Sequence, residues 1–203
     1  NENLIHNEKV NFIGIQNQNM ILNTKDGNLW FLGLTASLFP NLGNLGFTSI
    51  NKNDLIKSTK FKIKSSITSL SSGINHTIFT TSDGKLYFIG SNEKYQSGQN
   101  AIPVMPQTPQ EISFKKSDYF IMASAGDYFS AFIIKNKITG KKYLYTAGWS
   151  KDGRSGIDEK GEFHTAHKFE DEENIDKEFI YVSTSETTGA AISDDGKLYT
   201  WGA

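Results

Sequence analysis

The sequence predicts an all-β fold, a β-propeller of about four consecutive blades, from three observations. Four segments of the 203-residue chain end alike, in Leu, an aromatic residue, two further residues and Gly. The chain contains many Gly, Ile, Thr and Ser residues but only 4 Pro, and no segment places its apolar residues at helical spacing. A small antiparallel sheet in each repeat can bury both faces only by stacking on its neighbours. The four closing glycines, 57, 58 and 54 residues apart, are Gly33, Gly90, Gly148 and Gly202.

In each copy a β-hairpin is predicted between the first strand and a looser return segment. In three copies an Asp-Gly pair precedes the final strand, which is typical of a type I′ turn with positive φ at both central residues. The third copy has no such pair, and its hairpin from Ala131 to Gly148 carries extra residues around Lys137 to Lys142. The pairs are Asp26-Gly27, Asp83-Gly84 and Asp195-Gly196.

Each copy also begins with a short apolar strand, at 10–15, 67–70, 120–125 and 179–182. The repeats therefore cover approximately 10–66, 67–119, 120–178 and 179–203, within one partial propeller over 1–203. Since the last copy ends directly after its closing glycine and the first residue is not Met, we expect a piece of a longer protein. The leucines that share one strand face are expected to form the core between blades. They are Leu29, Leu86, Leu144 and Leu198.

The second copy carries the fullest motif set. It reads Gly73-x-x-His76-Thr77, then Asp83-Gly84-Lys85-Leu86-Tyr87-x-x-Gly90, then Asn92 and Gln96-Ser97-Gly98. The third copy repeats its tail as Gly148 followed by Gly153-Arg154-Ser155-Gly156, whereas the first departs from it over 34–43. This pattern resembles the regulator of chromosome condensation (RCC-type) repeat family. The resemblance implies a seven-bladed β-propeller that acts either as an exchange factor for a Ran-type small GTPase or as an interaction platform.

Composition narrows the functional classes. The chain has 21 Lys and Arg against 22 Asp and Glu, a net charge of -1, which argues against general nucleic-acid binding. It has no Cys, hence neither disulfides nor thiol nucleophiles, and no apolar run long enough for a membrane span. Neither a phosphate-binding glycine loop nor a nucleophile elbow occurs. We predict no cofactor and no covalent catalysis, and an intracellular location is favoured because no signal peptide is seen.

The histidines have structural and functional interpretations. His76 is expected to hydrogen-bond within the core and to tie backbone together, rather than to act in catalysis. His164 and His167 lie three residues apart among acidic residues, in what reads as a loop. They could ligate a metal only with a third ligand and with both side chains on one face.

Charged segments supply candidate partner contacts. Residues 158–178 form an acidic stretch, either a solvated loop or a surface for a basic partner. Lys60, Lys62 and Lys64 alternate with apolar residues, which predicts a strand whose lysines prevent aggregation or bind a partner. The extra hairpin residues contribute Lys137, Lys141 and Lys142, because inserted loops often carry function. The acidic stretch contributes Glu170, Asp171, Glu172 and Glu173.

By the resemblance, the wedge of an exchange factor follows the closing glycine of a blade. The corresponding segments are 34–43 and 149–156, and the second contains Trp149, Asp152 and Arg154. Because no catalytic grouping occurs, the first hypothesis is a non-enzymatic module that holds other proteins in a larger assembly. The alternative is nucleotide exchange on a small GTPase. A hydrolase or lyase would need clustered acids or a metal in the central channel.

Overall fold

The computed structural model describes residues 8–16, 19–33, 56–57, 62–104, 106, 108–157, 163–169 and 177–203. These residues form four antiparallel sheets and one turn of 3-10 helix at Lys151–Gly153, which confirms the all-β prediction. The first sheet contains β1 (Val10–Gln16), β2 (Asn19–Thr24), β3 (Leu29–Gly33) and β4 (Ile56–Lys57). The second contains β5 (Ile67–Ser72), β6 (His76–Thr81), β7 (Leu86–Gly90) and β8 (Gln110–Ile112). The third contains β9 (Asp118–Ala125), β10 (Phe129–Asn136), β11 (Lys142–Trp149) and β12 (Phe163–Lys168), and the fourth contains β13 (Phe179–Thr184), β14 (Thr188–Ser193) and β15 (Leu198–Gly202).

The sheets are arranged as consecutive blades of a propeller. In each sheet the strands pair in chain order, so every blade is a simple meander. The first strand of each sheet contacts the first strand of the next, β1 with β5, β5 with β9 and β9 with β13. These four strands therefore lie nearest a common axis, as the stacking argument predicts.

Three apolar clusters fill the spaces between consecutive blades. The repeated leucine lies in each of them and is almost fully buried, which stabilises each interface by about 2 kcal/mol per side chain. The fourth leucine, Leu198, is 69% exposed, against expectation, because no described sheet packs on its side of the last blade. The clusters join Leu29 to Ile67, Leu86 to Phe120, and Leu144 to Phe179.

The Asp-Gly hairpins differ from the type I′ prediction. Only the glycine of each pair has positive φ, 78° at Gly84 and 81° at Gly196. The Gly84 N–H donates to the Thr81 carbonyl at 2.8 Å, and the Thr81 N–H donates to the Lys85 carbonyl at 3.0 Å. This is a three-residue loop whose last residue is left-handed, in which Asp83 accepts a 2.6 Å hydrogen bond from the Thr81 hydroxyl. The aspartate thus serves as a side-chain acceptor rather than as a residue with positive φ.

The closing glycines allow the end of the third strand of a blade to pass close to the start of the second strand. Their φ angles are 105° at Gly90, 111° at Gly148 and 99° at Gly202, a region that side-chain-bearing residues rarely adopt. A Cβ at Gly148 would lie 2.7 Å from the Phe129 Cα, and one at Gly90 would lie 2.7 Å from the His76 Cα. Glycine is therefore needed both for the backbone angle and for the close approach.

Candidate interaction surface

The blade ends form two opposite faces. One, the hairpin face, carries the Asp-Gly turns and the enlarged hairpin of the third blade. The other, the glycine face, carries the closing glycines, the loops that follow them, and the turns between the first and second strands. Segments of two of these following loops are described without a gap, at 91–98 and 149–156.

The loop Trp149–Gly156 is tightly folded. The Trp149 N–H donates to the Tyr128 carbonyl at 2.8 Å, which fixes the start of the loop to the preceding turn. The Gly156 N–H donates to the Gly153 carbonyl at 2.8 Å. Positive φ angles occur at Asp152 (62°), Gly153 (69°) and Gly156 (70°). The backbone therefore turns back on itself and brings its side chains together.

Arg154 is the centre of this loop and is only 5% exposed. Its Nε donates to the Lys151 carbonyl at 3.0 Å, and its Nη1 donates to the Asp127 carbonyl at 3.3 Å. Its Nη2 donates to the Asp152 carboxylate at 3.1 Å. Since the guanidinium is used within the molecule, it holds the loop on the blade instead of offering its charge to solvent.

Trp149 is half-buried beside Arg154. The guanidinium carbon lies 4.5 Å from the centre of the indole ring, and Tyr128 meets the ring edge-on at 5.5 Å. The Nζ atoms of Lys94 and Lys151 lie 5.8 Å and 5.7 Å from the same ring. We call these five residues the Trp149 cluster. It combines an aromatic surface with two lysines at its rim, and cations near a ring face attract it electrostatically.

An open cavity of about 500 Å³ lies next to this cluster, at the axial end of the turns between first and second strands. Ile15 and Ile74 form an apolar part of its lining, and Asp127 and Glu186 an acidic part. Burial, and then the neighbouring Glu186, raise the pKa of Asp127 above its usual value, while Arg154 opposes the shift. The cavity and the cluster adjoin at Asp127, which lines the cavity and whose carbonyl accepts from Arg154.

His76 is fully buried and connects two blades. Its Nε2 lies 2.8 Å from the Ser130 hydroxyl of the next blade, and its ring stacks on Phe88 at 5.5 Å. The His76 ring thus bonds to a side chain of the next blade. Burial lowers the pKa of His76 to about 3, so the imidazole is neutral at ordinary pH.

The enlarged hairpin lies on the hairpin face. The Asn136 carboxamide oxygen accepts from the Ile138 N–H at 2.8 Å and from the Thr139 N–H at 3.2 Å, and Gly140 has φ 76°. Lys137 lies with its Nζ 5.9 Å from the ring centre of Tyr119. Lys141 lies in the loop, and the Lys142 N–H donates to the Glu178 carboxylate at 3.1 Å. The structure therefore places these three predicted lysines together, far along the blade from the Trp149 cluster.

Two expectations about loops and strands are wrong. His164 and His167 lie on β12, where a loop was expected, and pair with Gly148 and Thr146 across a bulge. Lys62 and Lys64 are exposed, but they lie outside any strand. Ile63 between them is buried, and its side chain packs in the first apolar cluster. Its N–H donates to the Gly27 carbonyl at 3.2 Å.

Several predicted contacts lie outside the described residues. These are Glu170, Asp171, Glu172, Glu173, Lys60 and the segment 34–43. Among the described residues, no three His, Asp or Glu side chains are grouped as metal ligands. Nor does that part of the chain contain a helix with the length and apolar character needed to cross a membrane.

Sequence reasoning found Trp149, Asp152 and Arg154 but missed Lys94 and Tyr128. Lys94 comes from the loop of the previous blade, and Tyr128 from a turn in which it has φ 61°. Neither belongs to a repeated motif: stacking of the second blade on the third brings Lys94 to the indole, and pairing of β10 with β11 within the third blade brings Tyr128 there. The cavity was missed for the same reason.

Comparison with known proteins identifies the repeats. Two family models, both described as the regulator of chromosome condensation (RCC1) repeat, match residues 67–96 and 83–133. The mouse X-linked retinitis pigmentosa GTPase regulator is 30% identical over 175 residues, 83% of this chain and 16% of that protein. The human protein of the same name is 27% identical over 136 residues, 66% of this chain and 12% of that protein. The chain thus spans a small part of these relatives.

Solved structures support the fold. Human WBSCR16 has a TM-score of 0.74 at 16% identity, over 98% of this chain and 49% of that chain. Prp20p from Saccharomyces cerevisiae has a TM-score of 0.72 at 16% identity, over 98% of this chain and 47% of that chain. Its description names binding properties to Gsp1p and histones. The chain therefore matches slightly under half of each structure, and the match concerns the architecture alone.

Proposed function

The chain belongs to the regulator of chromosome condensation (RCC1) repeat family, and on this basis we propose that it is a propeller module that binds other proteins through the Trp149 cluster. Its blades supply a rigid scaffold, and its loops supply the contacts. The proposed role needs no covalent chemistry. It agrees with the sequence, which contains no recognised catalytic motif.

The exposed part of Trp149 is the observation that carries this proposal. Tryptophan is enriched at the centres of protein interfaces because it buries a large surface at little cost in side-chain entropy. Here the Arg154 guanidinium already packs on one side of the indole, with its carbon 4.5 Å from the ring centre. A partner therefore meets a pre-ordered aromatic surface, which reduces the entropy lost on binding.

The rim of the cluster indicates the chemistry of the partner. Lys94 and Lys151 approach the indole with their ammonium groups, whereas the Arg154 charge is paired with Asp152. An acidic partner surface would complement these lysines, and such complementarity mainly affects the association rate and specificity.

Affinity capture from an extract of the source cells tests the proposal. The full-length protein is compared with a Trp149→Ala variant and with an Ile138→Ser variant on the opposite face. We expect proteins captured by wild type to be lost with Trp149→Ala and retained with Ile138→Ser. Binding to one captured protein, once purified, should weaken more than tenfold, as for a central aromatic contact. Equal capture by both variants would refute the role of the Trp149 cluster.

Nucleotide exchange on a small GTPase is the second candidate. It is supported by the name of the relatives, GTPase regulator, and by the description of Prp20p, which names its binding properties to Gsp1p. An exchange factor binds the nucleotide-free state best and so shifts the population towards it. The loop Trp149–Gly156, which follows a closing glycine, is the described segment suited to act as a wedge.

A release assay separates the two candidates. Small GTPases of the source organism are loaded with fluorescent GDP and mixed with substoichiometric full-length protein. Accelerated release that is lost with Trp149→Ala would establish exchange through this loop. Binding without accelerated release would leave the interaction module as the function.

A further inference from the structure

The hairpin face carries a concentrated basic patch in the third blade. Two neighbouring loops contribute to it, the segment before β9 and the enlarged hairpin between β10 and β11. The Lys137 N–H donates to the Ser117 carbonyl at 2.8 Å, so the two loops are joined directly. The patch lysines are Lys115, Lys116, Lys135, Lys137, Lys141 and Lys142.

Strand pairing brings these lysines side by side. Lys135 pairs with Lys142 on one side and with Tyr119 on the other, so three adjacent strands begin or end at the patch. Two acids of the described residues hydrogen-bond to backbone within the patch: Asp118, which accepts from the Lys115 N–H, and Glu178, which accepts from the Lys142 N–H. Among the described residues of these loops the lysines outnumber the acids.

An apolar side chain lies at the apex of the patch. Ile138 is 85% exposed, at the tip of a turn whose backbone the Asn136 side chain holds in place. A large apolar residue exposed at a rigid tip stabilises nothing in the described molecule, since its environment is solvent. It is available to enter an apolar medium without further ordering of the loop.

We propose that the enlarged hairpin of the third blade docks on an anionic lipid surface, with Ile138 entering the interface and the surrounding lysines contacting acidic headgroups. Peripheral membrane attachment commonly combines an apolar insertion with a polybasic patch. Attachment through this face would leave the Trp149 cluster, on the opposite face, open to protein partners.

A lipid surface fits this patch better than nucleic acid does. All the cationic residues of the patch are lysines. The single Arg of the chain, Arg154, is buried on the other face. Specific recognition of phosphates and bases favours the planar guanidinium, whereas a diffuse anionic surface requires only positive charge. An exposed Ile138 would contribute nothing to binding of the charged phosphate backbone of a nucleic acid.

Co-sedimentation of the full-length protein with vesicles tests this proposal. One set contains equal parts phosphatidylserine and phosphatidylcholine, and the other contains phosphatidylcholine alone. We expect binding to the anionic set, weakened by added salt. The double variant Lys137→Gln/Lys141→Gln should bind about 25-fold more weakly, since each lysine contributes about fivefold. Ile138→Ser, which leaves the charge unchanged, should bind about tenfold more weakly.

Matched variants make the outcome decisive. Lys25→Gln/Lys197→Gln removes the same charge from two other hairpins of the same face and should change vesicle binding much less. Trp149→Ala should leave it unchanged, so failure of this proposal is distinguishable from failure of the protein-binding one. Equal sedimentation with both vesicle sets, an equal loss in the control, or binding of duplex DNA in place of vesicles would overturn the proposal.

Discussion

Two loops of the glycine face share two backbone hydrogen bonds but differ in chemistry. The amide loop, Ser91–Gly98, and the cation loop, Trp149–Gly156, each begin directly after a closing glycine. In the amide loop the Tyr95 N–H donates to the Asn92 carbonyl at 3.1 Å and the Gly98 N–H to the Tyr95 carbonyl at 2.8 Å. The cation loop has the same two bonds at the same offsets, at 3.2 Å and 2.8 Å. The frame is therefore a property of the repeat.

The side chains that hydrogen-bond to the backbone of the two loops are different. In the amide loop Asn92 accepts from the Ser97 N–H at 2.9 Å and donates to the Ile102 carbonyl, while Gln96 accepts from the Lys94 N–H at 2.9 Å. In the cation loop, Arg154 stands at the position of Gln96. It reaches one carbonyl outside its own loop, that of Asp127, and it supports the Trp149 ring. A departure from the repeat pattern within the same pair of backbone hydrogen bonds is thus a useful guide to function.

Loss of Arg154 is expected to have the largest effect. Arg154→Ala removes hydrogen bonds to two carbonyls and the support under Trp149, and should lower the free energy of unfolding by about 3 kcal/mol. Arg154→Gln, which introduces the residue of the amide loop, should cost about half as much. Urea unfolding measures both. If Arg154→Gln is as harmful as Arg154→Ala, the two loops do not share a frame that an amide can satisfy.

The glycines that end the two loops should respond alike. Gly98 and Gly156 have φ 79° and 70°, and a Cβ at either would lie 2.8 Å from a phenylalanine ring. Substitution of either by Ala should lower the free energy of unfolding by about 2 kcal/mol, from backbone strain and the contact together.

Gly140→Ala separates these two causes. Gly140 has φ 76°, but a Cβ there would meet nothing within 4 Å. Its substitution should cost about 1 kcal/mol, from backbone strain alone. Thermal unfolding of the three variants measures the difference. Unequal effects at Gly98 and Gly156 would show that the loops are packed differently despite their common hydrogen bonds.

The blades could be predicted from the sequence because each one is specified locally. The Leu-aromatic-x-x-Gly ending and the Asp-Gly pair lie within a few residues of each other, and every copy repeats them. The turn type was wrong because the same Asp-Gly pair occurs in two-residue and three-residue hairpin loops. The Trp149 cluster could not be predicted in full, since Lys94 reaches it from another blade and no local pattern encodes that approach.

A smaller contrast lies beneath the two loops, in the residue that pairs with each closing glycine. His76 pairs with Gly90 under the amide loop, and Phe129 pairs with Gly148 under the cation loop. Because burial lowers the pKa of His76 to about 3, from 6.5, the unfolded chain binds a proton below pH 6.5 that the folded chain does not. Stability therefore falls as pH drops from 6.5 towards 3, by about 1 kcal/mol between pH 7 and pH 5.5.

His76→Asn isolates this contribution, since Asn19 occupies the same position in the first blade, opposite Gly33. The variant should lose the part of the pH dependence that comes from His76. Its free energy of unfolding should therefore change by about 1 kcal/mol less than that of wild type between pH 7 and pH 5.5. Ser130→Ala is the control, because it removes the 2.8 Å hydrogen bond but keeps the buried imidazole and hence its titration. Denaturant unfolding at pH 7 and pH 5.5 measures all three proteins. A pH dependence in His76→Asn equal to that of wild type would place the titrating group elsewhere and remove this difference between the second and third blades.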